Sequence, residues 1–109
     1  MKSIVLMVGM TMMAAPDVAI RVSPSGLFAG QTITITCVIQ PHPDNRILRI
    51  GLVNASDSEV SIDFRKTYTR QVKHVPCEAQ AAYCQLIQAD GKVKEVATRI
   101  TVLGCDREL

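Results

Sequence analysis

QTITITCVIQ, residues 31–40, decides the fold class. Ile33, Ile35, Cys37 and Ile39 fall on one side of an extended chain; Thr32, Thr34, Thr36 and Val38 fall on the other. The period is two and β-branched residues dominate, which suits a half-buried strand and not an amphipathic helix. The next stretch, PHPDN at 41–45, cannot extend the strand. Pro41 and Pro43 lack the amide hydrogen a ladder needs and fix φ, and Asp44 and Asn45 are turn residues. The strand therefore runs into a corner, with Cys37 pointing inward and His42 carried on the turn.

The same alternation recurs on both sides of this stretch. Val18 to Val22 reads as a first strand, broken by SPSG at 23–26, with Leu27 and Phe28 as a short continuation before Gly30. Arg46 to Val53 follows the corner, with Ile47 and Arg49 on one face and Leu48, Ile50 and Leu52 on the other. NASDS at 54–58 is a loop; Val60, Ile62 and Phe64 then alternate with Ser61 and Asp63. Another strand runs from about Thr67 to Val75 and stops at Pro76. Ala79 to Gln88 and Lys92 to Leu103 form a hairpin around ADGK at 89–92, where Asp90-Gly91 is a strong turn signal. Short strands with regular turns and no helical period predict an all-β protein, a seven-stranded antiparallel sandwich of two sheets.

The 109 residues allow one domain. A hydrophobic content of 48% with 20% charged residues predicts a folded chain, and the absence of Trp makes its core aliphatic. A net charge of +2, with the basic residues scattered, argues against nucleic acid as a partner. Residues 1–15, MKSIVLMVGMTMMAA, read as a signal peptide: Lys2, an apolar run from Ile4 to Met13, then Ala14 and Ala15. The run is well short of the roughly twenty residues of a membrane-spanning helix. The domain is then 16–109, secreted or periplasmic, with no membrane span in the mature chain. Met7, Met10, Met12 and Met13 are explained more simply as signal core than as copper ligands.

Cys37, Cys77, Cys84 and Cys105 form an even set in a short, exported chain, which suggests two disulfides; four cysteines permit three pairings. With the Asp90-Gly91 turn as a ruler, opposed residues have numbers summing to about 181. Cys77 and Cys105 sum to 182 and should meet at the open end of the hairpin. Four reduced thiols in a cytosolic chain is the plainer alternative. Zinc is disfavoured, because these spacings are not those of a zinc knuckle.

VSPSGLFAG (22–30), QPHPDNRILRIGL (40–52) and ADGKVKEVATRITVLG (89–104) resemble small bacterial immunoglobulin-like or fibronectin type III-like domains of exported proteins. The resemblance spans about residues 20–104, is weak over Asn54–Val75, and rests on structural motifs. In an immunoglobulin-type sandwich the second and sixth strands face one another across the core, which implies a Cys37–Cys84 bridge between sheets. Two hallmarks of true immunoglobulin domains are missing. There is no Trp, and Tyr83 stands one residue before Cys84 where the usual tyrosine corner needs two.

Little else looks like chemistry. His42 lies near Asp44 and His74 near Pro76, but neither has a serine or free cysteine set as a nucleophile. Asp57, Glu59 and Asp63 read as a solvated sheet face without the spacing of a calcium loop. Asn54-Ala55-Ser56 is a glycosylation sequon that chance explains. FRKTYTRQVKH (64–74) carries Arg65, Lys66, Arg70 and Lys73, a candidate surface for an acidic partner or polysaccharide or, more plainly, a solvated edge strand. The expectation is a non-catalytic exported module with no cofactor, binding another protein or a cell-surface component or giving structural support. Its rivals are an inhibitor or accessory subunit of a periplasmic enzyme complex, and a small metal-binding sandwich using His42, His74 or the methionines.

Overall fold

The computed structural model describes residues 17–55, 57–63 and 65–105. The expected leader, Ser56 of the sequon and Phe64 lie outside these residues. All regular structure among the described residues is β: β1 (Val18–Ser23), β2 (Gly26–Phe28), β3 (Ile33–Ile39), β4 (Asn45–Leu52), β5 (Asp57–Ser61), β6 (Thr67–Val72), β7 (Ala81–Gln88), β8 (Val93–Arg99) and β9 (Thr101–Leu103). They form three sheets, ordered β1-β3-β6, β5-β4-β7-β8 and β9-β2.

The expected count of seven antiparallel strands is therefore corrected, among the described residues, to nine strands in three sheets. The difference arises where the first and last strands change neighbours. β1 pairs antiparallel with β3, and Pro24, which has no amide hydrogen to donate, ends that ladder. Beyond it, β2 pairs in parallel with β9. On the other side, β8 follows β7 antiparallel from Val93 to Arg99. Ile100 then donates its amide to Gln80 O (3.1 Å) and Thr101 to Ser25 O (3.0 Å), which passes the chain from one partner to the other.

The core lies between the three- and four-stranded sheets. Ile33, Ile35, Cys37 and Ile39 enter it from β3, Leu48, Ile50 and Leu52 from β4, and Ala82, Cys84 and Leu86 from β7. These are the inward positions of three alternating strands, and each fully buried Ile or Leu contributes about 1.5–3 kcal/mol. Cys37 and Cys84, both fully buried, are joined by a disulfide with Cα atoms 6.0 Å apart, so the two sheets are covalently linked through their common interior. Cys77 and Cys105 form a second bridge beside the end of β9, Cα to Cα 5.6 Å. Pairs such as Ala82–Thr98 and Leu86–Lys94 fix the hairpin sum at 180, one below the sequence ruler.

The PHPDN corner is tied to the hairpin turn through buried amides. Gln88 Nε2 donates to Asn45 Oδ1 (3.0 Å), Asn45 Nδ2 donates to Gln40 O (3.0 Å), and Ala89 N donates to Asp44 O (2.8 Å). Asn45 and Gln88 are the two buried polar side chains among the described residues, and their mutual bond meets the demand that burial places on them.

Candidate recognition surface

The two long sides of the molecule differ. Along one, β1 and β8 lie against each other, and Lys94 Nζ meets Asp17 Oδ2 at 2.6 Å. Along the other, β5 and β6 are sheet edges, each with one neighbour.

Which backbone groups of β6 are open follows from the register. Paired residues of β3 and β6 sum to 105, and Ile39 N donates to Lys66 O within that series. Antiparallel pairs alternate between bonded and non-bonded. The bonded pairs are therefore Cys37–Tyr68, Ile35–Arg70 and Ile33–Val72. Thr67, Thr69 and Gln71 turn their amides and carbonyls away from β3, toward the open edge. The same parity on β5 opens Asp57, Glu59 and Ser61, since Ile62 N donates to Arg46 O in a series summing to 108. Two carboxylates stand on the β5 edge, which discourages an added strand. β6 has no acidic residue and no proline, with Lys66 and Lys73 exposed just beyond its ends.

The four basic residues singled out in the sequence do not share one face. Arg70 is on the inward parity of β6 with Tyr68 and Val72, and its Nη1 crosses to Ile50 O at 2.9 Å. Arg65 precedes the strand, pairs with Asp63 at 2.9 Å and lies over the Tyr68 ring, 4.9 Å from its centre. Hydrogen bonds from Arg65, through side chain and backbone, and from the Tyr68 hydroxyl hold the Asp63 carboxyl well below the usual carboxylate range. Lys66 and Lys73 are exposed at the strand's two ends, as is the Asp63-paired Arg65 just before its start.

At the end of the sandwich where β6 begins, the corner and the β5–β6 connection enclose an open cleft of about 440 Å3. Ile39, Pro41, Pro43 and Ile62 give it apolar walls, and His42, Asp63 and Arg65 give it a polar rim. His42 is half exposed, accepts a hydrogen bond at Nδ1 from Asp44 N (3.0 Å), and has Asp44 Oδ2 at 3.9 Å. His74, in the left-handed region at φ 57°, lies past the opposite end of β6. No group of three or more His, Cys, Asp or Glu side chains among the described residues could hold a metal ion.

The outer face of the four-stranded sheet carries a polar row that the sequence pattern hid. Arg49 donates from Nε to Glu59 Oε2 (3.1 Å) and from Nη1 to Gln85 Oε1 (2.9 Å), and Gln85 Nε2 donates to Glu95 Oε1 (3.2 Å). These residues are successive cross-strand neighbours on β5, β4, β7 and β8. In the adjoining row Tyr83 reaches past Gly51 and donates to Asp57 Oδ2 at 2.9 Å. Burial, and then the Asp57 hydrogen bond and charge, push the Tyr83 hydroxyl from an ordinary value of 10.0 up to about 12. The neutral form is the one the folded state favours. The contribution is complete below pH 10 and is lost as pH rises toward 12. A tyrosinate absorbance titration should show one hydroxyl ionising late, and Asp57→Asn should bring it earlier.

No family model and no curated protein matches the sequence. Among solved structures, superoxide reductase (neelaredoxin) from Ignicoccus hospitalis superposes with a TM-score of 0.58 at 16% identity, over 78% of this chain and 79% of that one. A bacterial immunoglobulin-like domain from the M. primoryensis ice-binding adhesin gives 0.57 at 13% identity, over 81% of this chain and 97% of that one. Macromomycin gives 0.52 at 18%, over 78% and 98%. What is shared is the fold. At these identities the likeness shows the fold and carries no activity with it.

Proposed function

We propose that this chain is a non-catalytic, exported immunoglobulin-like module that recognises another protein or a cell-surface component. Its two bridges suit an oxidising compartment. No helix among the described residues is long and apolar enough to cross a membrane. The likeness to an adhesin's immunoglobulin-like domain supports the same reading. One observation carries the recognition role: β6 is an unguarded sheet edge, beside a cleft with apolar walls and a polar rim. The rival reading within recognition is an inhibitor or accessory subunit of a periplasmic enzyme complex, which would use the same surfaces.

A second reading takes its support from the superoxide reductase of like fold. The residues here favour recognition over that chemistry. All four cysteines are in bridges, and the two histidines sit at opposite ends of β6. The test is direct. Fluorescently labelled, oxidised protein should bind intact envelopes saturably and should leave the rate of superoxide loss unchanged. Accelerated superoxide loss, or binding that never saturates, would overturn the reading. Intact mass of exported protein should rise by two hydrogens per bridge on reduction.

A further inference from the structure

We infer that the open edge of β6 takes up an extended, acidic segment of the partner as an added antiparallel strand, a reading that rests on the recognition role proposed above. Three observations converge on it. First, the Thr67, Thr69 and Gln71 backbone groups face outward with no strand beyond them among the described residues. An added strand would use these donors and acceptors and turn the three-stranded sheet into a four-stranded one. Second, nothing on β6 repels such a strand. Its outward side chains are Thr67, Thr69 and Gln71, and Thr69 is already beside Thr36 (Oγ1 to Oγ1 3.5 Å), a surface that accepts further cross-strand hydroxyl or amide pairs. The strand's one charged residue, Arg70, is turned inward to Ile50 O. Third, the two ends of the edge are positive. Lys66 and Lys73 are exposed at either end, and the stretch from Arg65 to His74 contains no carboxylate.

That charge pattern selects the occupant. A second copy pairing β6 with β6 about a two-fold axis at Thr69 would set Lys73 of each chain opposite the Asp63-paired Arg65 of the other, and would bring neither lysine an unpaired carboxylate. A segment with a carboxylate near each end complements both lysines, while its centre is held by backbone bonds alone. The acidic β5 edge, with Asp57 and Glu59, would reject the same segment, so the partner is directed to one side of one sheet.

The probe is a synthetic six-residue peptide of alternating valine and threonine with a glutamate at each end, compared with the same peptide ended in lysine or in glutamine. In amide exchange and chemical-shift titrations of the oxidised protein, the glutamate peptide should protect the Thr67, Thr69 and Gln71 amides and leave β5 unchanged. The lysine peptide should bind at least about tenfold more weakly. Lys66→Glu with Lys73→Glu should weaken the glutamate peptide about tenfold, and added salt should do likewise. Protection on β5, indifference to peptide charge, or concentration-dependent dimerisation through β6 would each overturn the assignment. The same doubly substituted protein separates this claim from the broader one. Envelope binding that survives the charge reversal rejects the β6 edge and keeps the recognition role. Failure of the unsubstituted protein to bind envelopes, with the glutamate peptide still binding, rejects the recognition role and keeps the edge.

Discussion

Replacing Cys37 and Cys84 together with alanine is expected to cost about 4 kcal/mol of folding stability. The bridge spans a sequence separation of 47, and in the chain-entropy model a crosslink of that reach removes about 4 kcal/mol of freedom from the unfolded chain. Both sulfurs lie in the fully buried interior between the sheets, so their loss also leaves a void where two facing strands meet. Urea denaturation of the oxidised protein and the double variant measures the difference; a shift below about 1 kcal/mol would refute the account. The Cys77–Cys105 bridge, with a separation of 28, should contribute about 3.5 kcal/mol by the same arithmetic. It is half-buried, and a dithiol should open it before the interior bridge.

Tyr68→Ala should be nearly as damaging, at about 3–5 kcal/mol, the usual range for truncating a buried aromatic. Tyr68 is 3% exposed, in a core whose other described members are aliphatic side chains and the Cys37–Cys84 bridge. Its hydroxyl donates to Asp63 Oδ1 (2.9 Å) and accepts from Asp63 N (3.0 Å), which fixes the connection from β5 to β6. Tyr68→Phe keeps the ring and isolates that connection, at about 1–2 kcal/mol. The variants also differ in acid. The Asp63 carboxyl is depressed in the folded protein, so its contribution is present above the ordinary carboxylate value and fades as pH falls through the folded one. Tyr68→Phe removes one of the bonds that depress it and should shrink that acid-side loss, seen as a smaller change in urea midpoint between neutral and acid pH.

Tyr68 shows where the sequence is hard to read. The tyrosine corner expected of an immunoglobulin domain is absent beside Cys84, and a hydroxyl-to-backbone tie of the same kind stands on β6 instead. Nothing in TYTRQV announces it, because Arg70 occupies the inward position between Tyr68 and Val72 and disguises the alternation. β3, β4 and β7 are legible because their inward residues are uniformly apolar or small. The parallel β2–β9 pair is not, because each strand is three residues long and no local pattern reports a partner some seventy-five positions away. The polar row of Glu59, Arg49, Gln85 and Glu95 is hidden for a related reason. Each member is an ordinary outward residue on its own strand, and only the register aligns them. The basic residues of 64–74 are visible as a set, but which of them remain available depends on Asp63 and Ile50, neither of which composition can point to.

The positions of the two bridges also determine how the chain behaves under tension. A pull at both ends travels from the first strand to Cys37, across to Cys84, back along the chain to Cys77, and across to Cys105. Residues 38–76 and 85–104 lie off that route. However completely the sheets come apart, these two stretches cannot lengthen the molecule until a sulfur–sulfur bond breaks. In an oxidising setting the domain is a short tether with a covalent stop.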